Sequence, residues 1–210
     1  MAFAVPFLVF IRLRMVRRML TTRTAGTGKA CALATLATLC IILIENPLTN
    51  ALGLEEAVNE SNPFASGSVL MLFTGCLLGP FVEEMVFRGA MTGSLLAKRY
   101  NIIVTLAVPS LLFAAVHLNP ELLPFYFAYG LIAGWFAVRT GSLWPPVVLH
   151  ATNNTVCAIP DSALPCIDTL GETTATAVEW TLAAIAAAVL TLCIMALSRG
   201  TKTRKSVSYK

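Results

Sequence analysis

Residues 79–89 read GPFVEEMVFRG, with two adjacent glutamates and an arginine inside an otherwise apolar stretch. The stretch lies within a longer apolar segment, 66–97 (SGSVLMLFTGCLLGPFVEEMVFRGAMTGSLLA), which exceeds the ~20 residues a helix needs to cross a bilayer. The whole chain has the same character. Of its 210 residues 57% are hydrophobic and only 12% charged, against about 25% charged in an ordinary soluble domain. The reading that follows is an all-α, polytopic transmembrane helical bundle. Glu83, Glu84 and Arg88 then have to face its interior or a wet cavity, because a charge at bilayer depth costs at least ~2.5–3.5 kcal/mol on insertion scales.

Five further apolar segments accompany 66–97, at 30–44, 102–118, 122–138, 143–159 and 174–197. Pro80 suits the first position of a helix, so a break and restart at Gly79-Pro80 is one reading of the long segment. Residues 1–29 are read as a basic interfacial N-terminal segment, with an apolar stretch and then Arg12, Arg14, Arg17, Arg18, Arg23 and Lys29. A truncated first span is the alternative. A signal peptide would carry its charges before the apolar core, which is the reverse order. The transmembrane domain runs over 30–198, and 199–210 form a basic tail.

Six crossings from a cytoplasmic N-terminus place Arg12 to Lys29, Lys98, Arg99, Arg139 and the tail on the inner side. That accounts for fourteen of the fifteen basic residues, and the fifteenth is Arg88. No Lys or Arg is left for an outer loop, so the positive-inside rule puts both termini in the cytoplasm of a multi-pass plasma-membrane protein. The net charge of +4 is explained by this placement, and no phosphate loop or basic–aromatic interleaving points to nucleic acid. Cys157 and Cys166 flank the last outer loop and are a candidate disulfide pair.

Few ionisable groups remain inside the apolar segments: Glu83, Glu84, Arg88, both histidines of the chain, His117 and His150, and Glu179 near an outer end. Glu84 and Arg88 are i,i+4 and pair on one helix face. Glu83 points about 100° away, without a cation of its own. His150 and Asn154 share a face of their segment. At ~1.5 Å per residue, Glu83 and His150 fall at similar depths, while His117 computes to ~22 Å from the inner side. A carboxylate with an imidazole can activate water as a general base, and an imidazole with an amide can stabilise an oxyanion. Hydrolysis of an acyl or peptide bond fits this set. Two histidines and a glutamate could equally hold zinc, although no HExxH is present. Intramembrane Glu and His also build proton relays in transporters, and a non-enzymatic membrane scaffold or immunity factor would use the same groups for packing.

Three motifs occur in order on successive segments: EEMVFR fits EExxxR, FAAVH fits FxxxH, and HATNN fits HxxxN. With Gly89 after the first, the set resembles the CAAX protease and bacteriocin-processing (CPBP, or Abi) family over about 66–157, including its type II CAAX prenyl endopeptidases. The resemblance implies an intramembrane glutamic endopeptidase. No cofactor is expected, because the helix partner of His150 is Asn154 rather than a third good ligand, and zinc is the alternative that the family's older metalloprotease label carries. It implies Glu83 as general base, His117 positioning or polarising the water, His150 and Asn154 as oxyanion hole, and Glu84 and Arg88 in support. The implied partners are the lipid bilayer and a membrane-associated peptide, either prenylated and CAAX-type or a bacteriocin or leader peptide.

Overall fold

A computed structural model describes residues 14–22, 26–62, 64, 68–159 and 172–200. Those residues form eight helices and no strand: α1 (Arg14–Thr21), α2 (Thr27–Ala51), α3 (Glu55–Ser61), α4 (Val69–Ala97), α5 (Ile102–Val116), α6 (Leu123–Thr140), α7 (Trp144–Cys157) and α8 (Glu172–Gly200). Among the described residues, each of the six apolar segments read at 30–44, 66–97, 102–118, 122–138, 143–159 and 174–197 lies on a helix. Three of them, Thr27–Ala51, Val69–Ala97 and Ala175–Arg199, are long and apolar enough to cross a membrane, and α5 is a shorter apolar helix. Their outer faces carry bare aliphatic and aromatic side chains, among them Val69, Leu70, Phe73, Leu77, Ile103, Leu111, Ile185 and Leu192. An apolar surface of that extent is expected against lipid rather than water.

Helix α2 runs past Glu45 and through Pro47 to Ala51. Cys166 lies outside the described residues, and with it the candidate Cys157–Cys166 pair.

The core follows from small residues placed at helical spacing. Ala30, Ala34, Ala37 and Ile41 form one buried stripe on α2, packed with Phe87 of α4, Phe113 of α5, Tyr129, Ala133 and Phe136 of α6, Leu149 of α7 and Leu197 of α8. Stripes of this kind let backbones approach closely where no hydrophobic effect drives helices together. Gly130 and Gly134 do the same between α6 and α5. A Cβ at Gly130 would lie 2.9 Å from Ser110 Cβ and 3.1 Å from its Cα, and one at Gly134 would meet Leu106.

Helix α1 buries its apolar side in protein. Val16 and Met19 pack with Met85, Ala90, Ala137 and Leu143, and Gly89 gives Val16 room to approach α4. Leu143 N–H donates to Met19 O at 3.1 Å, and the Trp144 indole donates to Leu20 O at 3.0 Å.

Helix α4 is continuous, so the chain does not break and restart at Gly79-Pro80. The physical reason is a π-helical stretch at Thr74–Leu78, in which Gly79 N–H reaches back five residues to Thr74 O. Pro80 has no N–H, and its ring would crowd the carbonyl four residues back in a regular α-helix. Widening the turn before the proline accommodates the ring without ending the helix. No free helix N-terminus forms there, so a terminal dipole does not act on the two glutamates. A second π-helical stretch, Met85–Thr92, carries Arg88. Such stretches recur at functional sites.

Candidate active site

Four helices deliver the polar residues to one region. On α4, Glu84 and Arg88 are fully buried and paired, with Arg88 Nη1 donating to Glu84 Oε1 at 2.7 Å. Arg88 Nη2 donates to Gly130 O on α6 at 3.2 Å. The guanidinium also lies over the Phe113 ring of α5, 4.6 Å from its centroid. From α7, His150 Nδ1 stands 3.0 Å from the same Glu84 Oε1. A carboxylate held by arginine accepts, so Nδ1 is the donor and the imidazole orientation is fixed. The result is an Arg88–Glu84–His150 chain, and Glu84 supports the site by orienting His150 directly.

Glu83 turns to the other side, as its spacing implies. Its Oε2 is 3.9 Å from His150 Nε2, too long for a hydrogen bond, and its side chain is 36% exposed while Glu84 is at 0%. Two adjacent carboxylates therefore address the two nitrogens of one ring, one locked in an ion pair with Arg88 and one without a hydrogen bond to the ring.

His117 caps α5. Its Nδ1 lies 2.7 Å from Phe113 O, and a carbonyl only accepts, so Nδ1 carries a proton and neutral His117 keeps Nε2 as an acceptor. The Phe113 contact folds the ring back along the helix. Its ring stacks on Tyr126 (4.2 Å between centroids) and packs on Phe113 (4.6 Å). Phe113 in turn meets His150 edge-on at 5.6 Å. Both histidines thus pack on one phenylalanine, although a depth count along the helices sets them well apart.

Asn154 is anchored through one of its two amide protons. Its Nδ2 donates to Gly75 O at 2.9 Å. That carbonyl has lost its backbone partner: Gly79 N–H goes to Thr74 O, and the residue a π-turn would use, Pro80, has no N–H. The Asn154 amide satisfies an acceptor that the helix leaves without its backbone donor, so it ties α7 to α4 one turn beyond His150.

Sequence reasoning missed three contributions from α6: Tyr126 stacked on His117, the Gly130 carbonyl under Arg88, and Tyr129, whose ring lies edge-on to His150 at 5.8 Å. The available signal was the run LPFYFAYG, where Tyr126 and Tyr129, three apart, put phenols on one side of an apolar helix. Among the described residues, no group of three or more His, Cys, Asp or Glu is placed to hold a metal ion.

Residues 65–156 match the family model described as type II CAAX prenyl endopeptidase Rce1-like. The chain is similar to a putative membrane peptidase, YdiL, of Bacillus subtilis, with 31% identity over 90 residues, 43% of this chain and 36% of the relative. It is also similar to the membrane-embedded CAAX protease MroQ of Staphylococcus aureus, with 33% identity over 90 residues, 40% of this chain and 36% of that protein. Each match therefore spans little more than a third of the curated relative. No solved structure gives a significant match.

Proposed function

We propose, from the match of residues 65–156 to the type II CAAX prenyl endopeptidase Rce1-like family model, that the chain is an intramembrane endopeptidase that hydrolyses a peptide bond near the membrane surface. The observation that carries this reading is the division of labour around His150, where Glu84 is spent on Arg88 and Nδ1 while Glu83 stands 3.9 Å from Nε2, makes no hydrogen bond to it and stays partly exposed. In the proposed reaction a water molecule gives a proton to Glu83 and its oxygen attacks the scissile carbonyl carbon. The carbonyl π electrons move onto oxygen. When the oxyanion collapses the C–N bond breaks, and Glu83 returns the proton to the departing amine. His117 Nε2 accepts a hydrogen bond from the water and orients it. His150 faces the developing oxyanion through Nε2–H, which requires the ring to carry both protons while Nδ1–H stays on Glu84.

The substrate class in this reading is a membrane-associated peptide tail, lipidated or strongly apolar, as the printed CAAX names of the matching family and of MroQ suggest. Purified protein in detergent or vesicles should cut a prenylated CAAX peptide or an apolar leader peptide into defined fragments. Intact peptide after prolonged incubation with folded protein would remove the reading. The chemistry is proposed to be metal-free. Cleavage should persist in excess chelator, and a chelator-induced loss reversed by zinc would transfer the mechanism to a metal.

The same reading places six crossings in the plasma membrane with both termini cytoplasmic. Glu56 and Lys98 are exposed positions that it assigns to opposite sides. In intact cells an impermeant maleimide should label Glu56→Cys and spare Lys98→Cys in a cysteine-free background. Labelling at Lys98→Cys from outside would reverse the orientation.

A further inference from the structure

His117 sits where helix α5 gives out. Leu118 turns into the left-handed region at φ 55°, and the residues on either side of the histidine, Val116 and Leu118, are exposed. Packing of its neighbours therefore does not fix the imidazole. Nor does its own torsion, because the χ2 of a histidine is broad and roughly two-fold. The bond from Nδ1–H to Phe113 O holds one atom of the ring, and the plane can still swing about that bond.

Helix α6 supplies the missing restraint. The Tyr126 ring lies against the imidazole with 4.2 Å between centroids and 24° between planes, a stack that covers one face. Phe113 packs against the same imidazole at 4.6 Å, tilted by 57°. The start of α6 is itself anchored. Asn119 Oδ1 accepts from Glu121 N–H and Leu122 N–H, and Asn119 Nδ2 donates to Ala57 O. With Nδ1 spent and a face covered, the Nε2 edge is what His117 has left to offer. Among the charged groups Glu83 acts on His117 most strongly, ahead of His150 and Arg88. The ring thus shares its surroundings with the carboxylate that the peptidase reading makes the general base.

We propose that Tyr126 is a positioning residue for the hydrolysis, its ring holding the plane of the His117 imidazole so that Nε2 meets the attacking water beside Glu83. The proposal rests on the peptidase reading and adds a residue to it. Tyr126 acts through His117 and takes no part in proton transfer. Its contribution is the aromatic plane and not the phenol hydroxyl. A displacement of about 1 Å at a reacting group can cost on the order of 10²-fold in rate.

Tyr126→Met keeps an adaptable apolar side chain in the space and removes the plane. In this variant kcat should fall by on the order of 10- to 10²-fold with KM little changed, because His117 orients water rather than peptide. Tyr126→Phe keeps the plane and should recover most of the parent kcat. A general packing defect would slow the enzyme in any background, whereas a positioning residue acts only through the imidazole. Adding Tyr126→Met to His117→Ala should therefore cost no further kcat, the non-additivity expected of residues in contact. The chain has 2 histidines, so imidazole nitrogen NMR on isotopically labelled histidine reads the ring directly, with His117→Ala identifying its signals. The parent protein should show a single His117 tautomer, protonated at Nδ1, and Tyr126→Met a mixture of both. Parent-like kcat in a folded Tyr126→Met protein would overturn the proposal and leave the peptidase reading standing. So would equal losses in Tyr126→Phe and Tyr126→Met, or a double variant in which the two single losses multiply. Should Tyr126→Met fail to fold, the other two measurements decide. A single Nδ1–H tautomer in both the parent and Tyr126→Phe, with kcat retained, supports the proposal, and a His117 protonated at Nε2 or a Tyr126→Phe protein that has lost kcat overturns it. Absence of cleavage by the parent protein would overturn both the proposal and the peptidase reading.

Discussion

Glu83→Gln should lower the cleavage rate by on the order of 10²–10⁴-fold, the range for loss of a general base, while leaving folding untouched. The structure separates the two effects unusually well at this position. The Glu83 side chain is 36% exposed and its Oε2 makes no hydrogen bond to the protein. The neutral amide therefore fits without stranding a partner. A single-turnover assay beside a melting curve reads both quantities. Full activity in a normally folded Glu83→Gln protein would remove the base from Glu83. The same substitution one residue on should behave differently, because Glu84→Gln disrupts both the Arg88 pair and the anchor of His150.

Arg88→Met should be the most destabilising single change in the site, by about 3–5 kcal/mol, the usual consequence of removing one partner of a buried ion pair. Glu84 would keep its carboxylate at 0% exposure with the imidazole as sole partner. Gly130 O would lose its donor from α4, and Phe113 its guanidinium. The double variant Glu84→Gln with Arg88→Met should recover much of the loss, because no uncompensated charge remains. It should still be a poor enzyme, since His150 Nδ1 would face a neutral amide. Unfolding in detergent against denaturant measures the cycle. A loss below about 1 kcal/mol in Arg88→Met, the size of an exposed pair, would mean that water reaches Glu84.

Much of this architecture was legible in the chain itself. Composition alone gives an all-helical membrane protein, and the i,i+4 spacing of Glu84 and Arg88 gives their ion pair. The isolation of Glu83 follows from its 100° offset. What was not legible depends on departures from α-helical geometry and on contacts across helices. A wheel drawn at 3.6 residues per turn has no place for the widened turns at Thr74–Leu78 and Met85–Thr92, so Pro80 reads as a start signal rather than a residue carried through. The Asn154–Gly75 bond depends on that widened turn, and so this anchor was invisible too. Gly130xxxGly134 is a spacing that chance supplies freely in such sequences, and only the proximity of Ser110 and Leu106 shows it in use. The count of ~1.5 Å per residue set His117 too far from the other groups, because it follows backbone height and ignores a side chain folded back onto Phe113 O.

The widened turn before Pro80 also sets angular phase. A loop closed over five residues holds one more residue than a regular turn, and one residue is worth about 100° of rotation. Everything downstream on α4, Glu83 and Glu84 included, is therefore rotated relative to Val69–Phe73 by an offset that a straight helix would lack. Deleting one residue between Thr74 and Leu78 would do more than tidy the helix. It would swing the ion pair out of the interior and turn Glu83 away from the imidazole, with every residue of the motif still in the chain.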